Sequence, residues 1–180
     1  MRLEKYFTMC LTLLAACAAP SFNEGDYGDS DEPEAMRGMV AAHNETRAEA
    51  EPTPSPALEP LAWSSTLAEV AQAYAERCRF EHSGNDLGEN LYAESGITST
   101  AAAVVASWAS ELAFYNYANN SCAVGEQCGH YTQIVWDDTR RVGCGRARCT
   151  SNSPFDNGEA WNNWVCNYDP PGNFVGRRPY

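Results

Sequence analysis

The stretch Cys128-Gly129-His130-Tyr131-Thr132-Gln133-Ile134-Val135-Trp136 joins a cysteine, a titratable histidine and an apolar run. Its Cys-Gly opening is a turn signal, and Tyr131, Ile134, Val135 and Trp136 follow at spacings that suit one short helix with a buried face. His130 then stands at the start of that helix. Two uses are open to it: a core imidazole satisfied by one hydrogen bond, or a cleft residue anchored by the apolar run behind it. The choice depends on which other side chains keep it company.

Working outward, Arg140 to Cys149 and Ala160 to Asn167 have strand-like composition, and the turn-rich Ser151 to Gly158 between them predicts a hairpin. Upstream, Met36, Val40, His43 and Arg47 recur at helical spacing, giving a helix to about Ala50 that Pro52, Pro54, Pro56 and Pro60 end. Trp63 and Ser64 open a second helix, with Leu67, Val70, Ala71, Tyr74 and Cys78 on one face and Thr66 and Glu69 spaced as a capping box. Arg79 to Asn90 reads as a loop. A third helix runs from about Thr100 to Phe114, with Val104, Val105, Trp108 and Leu112 as its buried stripe and Glu111 beside it. Helices and strands come intermixed and without repeat, which predicts a layered mixed architecture.

The chain of 180 residues is long enough for one core. A net charge of -12 excludes a nucleic-acid partner as the expected one, because phosphate binding needs clustered Lys and Arg in excess. Arg2 and Lys5 precede a short apolar run from Tyr6 to Ala16 that suits a signal peptide rather than a membrane span. The run ends in Leu14-Ala15-Ala16-Cys17, which resembles the lipobox of bacterial lipoproteins and makes Cys17 the expected lipidation site; a signal peptide cut after one of the small residues is the alternative. Either way residues 1–17 export the protein, to the extracellular space or the cell envelope, and any membrane contact is through the anchor alone. Loss of residues 1–16 leaves ten basic against 23 acidic residues, a net of -13. Residues 18–35 are polar, acidic and without apolar periodicity, an expected disordered tether ahead of a domain over residues 36–180.

Of eight cysteines, Cys10 and Cys17 lie in the leader, leaving Cys78, Cys122, Cys128, Cys144, Cys149 and Cys166. An even number in an exported chain reads as three disulfides, with 15 connectivities open. Zinc ligation by these cysteines is disfavoured by the C-x5-C and C-x4-C spacings. A bridge from Cys78 to the Cys144 or Cys149 region would close a loop of about 70 residues and contribute about 4 kcal/mol in the chain-entropy model.

Four segments together carry a resemblance: G-H-Y-T-Q-I-V-W at Gly129 to Trp136, C-N-Y-D-P-P-G-N-F at Cys166 to Phe174, H-N-E-T-R at His43 to Arg47 and G-E-N-L-Y at Gly88 to Tyr92. Taken in chain order, from about Met36 to Tyr180, they resemble the CAP superfamily of cysteine-rich secretory proteins, insect antigen 5 and plant pathogenesis-related class 1 proteins. The plant branch is the most similar, through G-C-G-R-A-R-C at Gly143 to Cys149, the six cysteines and the ending R-P-Y. The resemblance implies an α+β fold, a three-layer α-β-α sandwich with a central, mainly antiparallel sheet. It also implies the pairings Cys78 with Cys149, Cys122 with Cys128, and Cys144 with Cys166. Asn163, ahead of the second signature, departs from the family's apolar pattern.

The resemblance supplies company for His130. The family's cleft of two histidines and two acids falls on His82, Glu89, Glu111 and His130. Imidazoles beside carboxylates suit zinc or another divalent ion, suit general acid and base chemistry, or form a polar network that holds loops together. A secreted hydrolase is therefore the alternative to a binding module; Ser83 and Thr132 are the nearest hydroxyls in sequence, and nothing nominates an oxyanion hole. The family also binds sterols and other lipids, and the matching aromatics are Phe114, Tyr115 and Tyr117 beside the small loop ahead of His130. The partners implied are thus a lipid, a sterol or a protein, taken by a monomer. Pro170 to Tyr180 resembles a segment that some plant relatives release as a peptide; a C-terminal strand and tail is the plainer expectation.

Overall fold

The computed structural model describes residues 31–96, 98–155 and 158–180. The leader, Cys17 and most of the tether lie outside the described residues. Among the described residues, four α-helices and six strands follow in the order α1 (Met39–Ala48), β1 (Ala62–Trp63), α2 (Ser65–Ala75), β2 (Gly88–Ser95), α3 (Ala101–Ala109), β3 (Tyr115–Asn116), β4 (Ser121–Cys122), α4 (Gly129–Ile134), β5 (Arg141–Cys149) and β6 (Trp161–Asp169). The main sheet has the order β1-β5-β6-β2; β1 runs parallel to β5 and the other pairs are antiparallel. No helix among the described residues is long and apolar enough to cross a membrane.

The predicted hairpin is the centre of the fold. Along β6, Trp164, Cys166 and Tyr168 enter the larger core with residues of α1, α3 and α4, while Val165 joins Ala71, Tyr74 and Ala75 of α2 and Leu91 of β2. Alternate residues of one strand thus face different helices, because side chains switch face at every step. This makes the three-layer α-β-α sandwich that the resemblance implies. The three disulfides also form as implied: Cys78–Cys149, Cys122–Cys128 and Cys144–Cys166, the last joining residues directly opposite each other on β5 and β6.

Several local expectations are corrected. Ser64, not Thr66, caps α2: its hydroxyl accepts from Leu67 N at 3.3 Å. Val70 is exposed, and Cys78 lies beyond the helix in the left-handed region at φ 52°. The first helix starts at Met39, where Glu32 accepts the amides of Gly38 and Val40, and Glu34–Met36 forms a separate 3-10 turn. The third helix is α-helical only to Ala109, and Ser110–Phe114 tightens into a 3-10 turn. The segment read as a loop contains the start of β2, which pairs with β6 from Gly88 opposite Tyr168 to Ser95 opposite Trp161. Asn163, the residue that broke the family pattern, is fully buried and donates to the carbonyls of Ala75 and Arg79, binding the end of α2 to the sheet.

Candidate functional site

The 3-10 turn after α3 brings Glu111 beneath the first turn of α4. One oxygen of its carboxylate accepts from His130 Nδ1 at 2.5 Å, and the other accepts from the amides of His130 at 2.9 Å and Tyr131 at 3.1 Å. Burial pushes the Glu111 carboxyl up, but these hydrogen bonds and the neighbouring imidazole outweigh it and hold the group below its ordinary value. An ionised carboxylate only accepts, so Nδ1 carries the proton and Nε2 is left free. Trp108, one turn before Glu111, stacks against the His130 ring with centroids 6.0 Å apart. The spacing of Trp108 and Glu111 thus sets one residue behind the imidazole and the other at its edge.

Glu89, on the edge strand β2, makes the second pair. Its Oε1 accepts from His82 Nδ1 and from Ser83 N, each at 2.9 Å. Its Oε2 is buried without a hydrogen-bond partner in the structure. The Glu89 side chain is 5% exposed against 67% for His82, whereas Glu111 and His130 are 13% and 22% exposed. Each acid is therefore the more sheltered partner, with His82 exposed and His130 half-buried. The four residues named from the sequence stand as two histidine–glutamate pairs. Among the described residues, no three His, Cys, Asp or Glu side chains lie close enough together to bind one metal ion.

Three further residues fix the site and were not nominated from the sequence. Asn90 Nδ2 donates to the His130 carbonyl at 3.1 Å and to the Tyr168 hydroxyl at 3.0 Å. Tyr168 in turn meets His43 Nε2 at 2.9 Å, and His43 Nδ1 donates to the Met39 carbonyl at 2.8 Å. A buried chain of polar groups thus runs from α1 through β6 and β2 to α4. All three lie inside the quoted motifs; which of their atoms meet is a tertiary fact that spacing does not carry.

The aromatic trio is divided. Phe114 is exposed, Tyr115 donates its hydroxyl to Asn120 at 2.8 Å, and Tyr117 stacks on Tyr180 with centroids 4.7 Å apart and donates to its carbonyl. Beside them is a depression of about 290 Å³, walled by Tyr115, Trp136, Phe174 and the Cys122–Cys128 loop. Trp136 is 1% exposed, and its indole N–H is buried without a hydrogen-bond partner in the structure. A second depression, of about 240 Å³, is lined by His82, Glu89, Gln133, Gly172 and Asn173.

A model of the cysteine-rich secretory protein family matches residues 40–168. The chain belongs to the CAP family. It is 46% identical to pathogenesis-related protein PR-1 of Medicago truncatula over 127 residues, 68% of this chain and 69% of that protein. Pathogenesis-related leaf protein 4 of Solanum lycopersicum is also 46% identical, over 145 residues that cover 78% of this chain and 80% of the relative. Among solved structures, venom allergen-like protein 4 of Schistosoma mansoni superposes with a TM-score of 0.66 at 26% identity, covering 83% of this chain and 95% of its own. The structure of NaASP2 with Zn2+ gives a TM-score of 0.62 at 25% identity over 85% of this chain and 88% of the other. The described residues of this CAP chain hold three disulfides, which accords with an oxidising, extracellular setting.

Proposed function

We propose that this CAP domain is an exported binding module that holds a divalent metal through Nε2 of His82 and His130 and takes a lipid, sterol or protein ligand at the neighbouring aromatic depression. The observation that carries the metal reading is the shared geometry of the two pairs: in each, a glutamate takes Nδ1 and leaves Nε2 free. A carboxylate behind an imidazole fixes its tautomer and raises its basicity toward a metal, the arrangement found behind metal-bound histidines generally. The unpartnered Glu89 Oε2 adds a buried acceptor to the His82 pair. Zinc held there would supply a positive charge with open coordination positions; the chain's own part is to orient two imidazoles, each with a carboxylate at its Nδ1.

Calorimetric titration with Zn2+ tests this. The wild-type chain binds one equivalent, Glu111→Gln weakens binding by about 10- to 100-fold, and His82→Ala with His130→Ala abolishes it. Zinc uptake by that double variant equal to wild type would overturn the reading.

The ligand reading rests on the depression beside the Cys122–Cys128 loop, whose lining includes the aromatic residues Tyr115, Trp136 and Phe174. In the same series, cholesterol or palmitate is retained on dialysis by wild type and lost from Trp136→Phe. The hydrolase alternative has no matching observation: Thr132 Oγ1 bonds to the Cys128 carbonyl and to Asn173, and Ser83 Oγ lies 3.5 Å from Asn85 N. Export and the Cys17 anchor complete the proposal. Cys17→Ser moves the protein from the membrane fraction to the soluble one, and an unchanged distribution excludes the anchor.

A further inference from the structure

The segment after β6 returns across the molecule and meets the helix that carries His130. Gly172 N donates to Gln133 Oε1 at 3.0 Å, and no side chain fits at Gly172, where a Cβ would lie 2.7 Å from the Trp136 ring. Asn173 follows in the left-handed region at φ 59°, a conformation that Asn tolerates. Its Nδ2 donates to the Gly129 carbonyl at 2.8 Å and its Oδ1 accepts from Thr132 Oγ1 at 2.7 Å.

Gly129 and Thr132 bracket His130 and Tyr131 on the first turn of α4, so one amide clamps that turn from the outside. From the inside, Glu111 takes the His130 and Tyr131 amides and Asn90 takes the His130 carbonyl. Asn173 also borders both depressions, the one with His82 and Glu89 and the one walled by Trp136 and Phe174.

We infer that Asn173 is a positioning residue: by clamping Gly129 and Thr132 it sets where the His130 imidazole stands. The inference rests on the metal reading above for its zinc readout. The rest of the tail is held independently. Arg177 pairs with Asp137 at 2.7 Å and Asp138 at 2.6 Å, Asp137 N donates to the Pro179 carbonyl at 2.7 Å, and the Tyr180 hydroxyl donates to the Glu51 carbonyl at 2.9 Å. Loss of the Asn173 amide therefore frees the α4 turn without releasing the tail.

In the full chain, Asn173→Ala lowers zinc affinity by about tenfold, at the low end of what partners of a ligand histidine contribute because it acts through the helix. Its thermal midpoint stays close to wild type, since the bonds lost are exposed. Thr132→Val, which removes the matching hydroxyl, gives the same loss, and the double variant is no weaker than the weaker single one, as expected for two residues acting through one contact. Asn173→Ala with wild-type affinity would overturn the inference. A wild-type chain that takes no zinc removes the metal reading alone; the His130 imidazole resonances of the metal-free chain then decide, displaced in Asn173→Ala if the residue positions the turn and unmoved if it does not.

Discussion

His43 shows how much one buried side chain can fix. The Met39 carbonyl can only accept, so Nδ1 carries the proton, and Nε2 must accept from the Tyr168 hydroxyl. Burial raises the Tyr168 phenol well above 10, so that donor is always present. Burial also pulls the His43 imidazole down to about 4 from 6.5, and Arg47 adds to the lowering. Between those two values the unfolded chain binds a proton that the folded chain refuses, so stability falls as pH falls from 6.5 toward 4, and is intact above 6.5. The loss is about 3 kcal/mol across the window at 1.36 kcal/mol per unit. Glu111 and Glu94, held below their ordinary values, act in a different window: their contributions are lost only as pH falls below 4.5. Urea unfolding at pH 7 and pH 5 separates the two. His43→Gln flattens the change between those pH values relative to wild type, and an equal slope in both proteins would exclude His43 as its source.

At the scale of elements, what could be read in advance depended on whether a segment's own side chains decide its fate. The helix at Gly129–Ile134 declares itself by apolar spacing, and the strands at Arg141–Cys149 and Trp161–Asp169 by composition on either side of a turn-rich segment. The strand at Gly88–Ser95 does not: Gly, Glu, Asn, Ala and Ser are poor strand formers, and the segment is extended because it pairs along β6 at eight consecutive positions. Likewise nothing local breaks α3 after Ala109; the tightening to a 3-10 turn coincides with Glu111 engaging α4. Gly143 and Gly145 read only as part of a motif, yet each is where α2 lies on β5: a Cβ would come within 2.3 Å of Ala68 N and 2.4 Å of Gln72 backbone atoms. The same limit applies to the site. Sequence placed His82, Glu89, Glu111 and His130 in one cleft by resemblance, but could not say that each acid would be committed to one imidazole, nor that Asn90, Tyr168 and Asn173 would hold the helix they serve.

For the whole molecule, the two layers of core are unequal, and the disulfides follow that inequality. Among the described residues, the buried cluster under α1, α3 and α4 has seventeen members, while the one under α2 has five, two of them alanines. A small apolar interface holds α2 weakly, since burial contributes in proportion to the area removed from water. Cys78–Cys149 compensates by tying the chain just past α2 to the end of β5, across a sequence separation of 71, whereas Cys122–Cys128 spans only 6. Loop-closure entropy assigns about 4 kcal/mol to the first and about 2 kcal/mol to the second. Their places in the fold reverse the order for the site: Cys128 is the residue ahead of α4, next to the turn that carries His130, while Cys78–Cys149 lies at the opposite end of β5 from Arg141. Replacing Cys78 and Cys149 together by serine should therefore lower the unfolding free energy by about twice as much as replacing Cys122 and Cys128. The effect on zinc titration should run the other way, with affinity weakened more in the second variant than in the first, where His82, four residues past Cys78, keeps its bond to Glu89. If both variants lose stability and affinity in the same proportion, the staple on α2 and the staple on the cleft are not separable, and the site depends on global stability rather than on the local hold around His130.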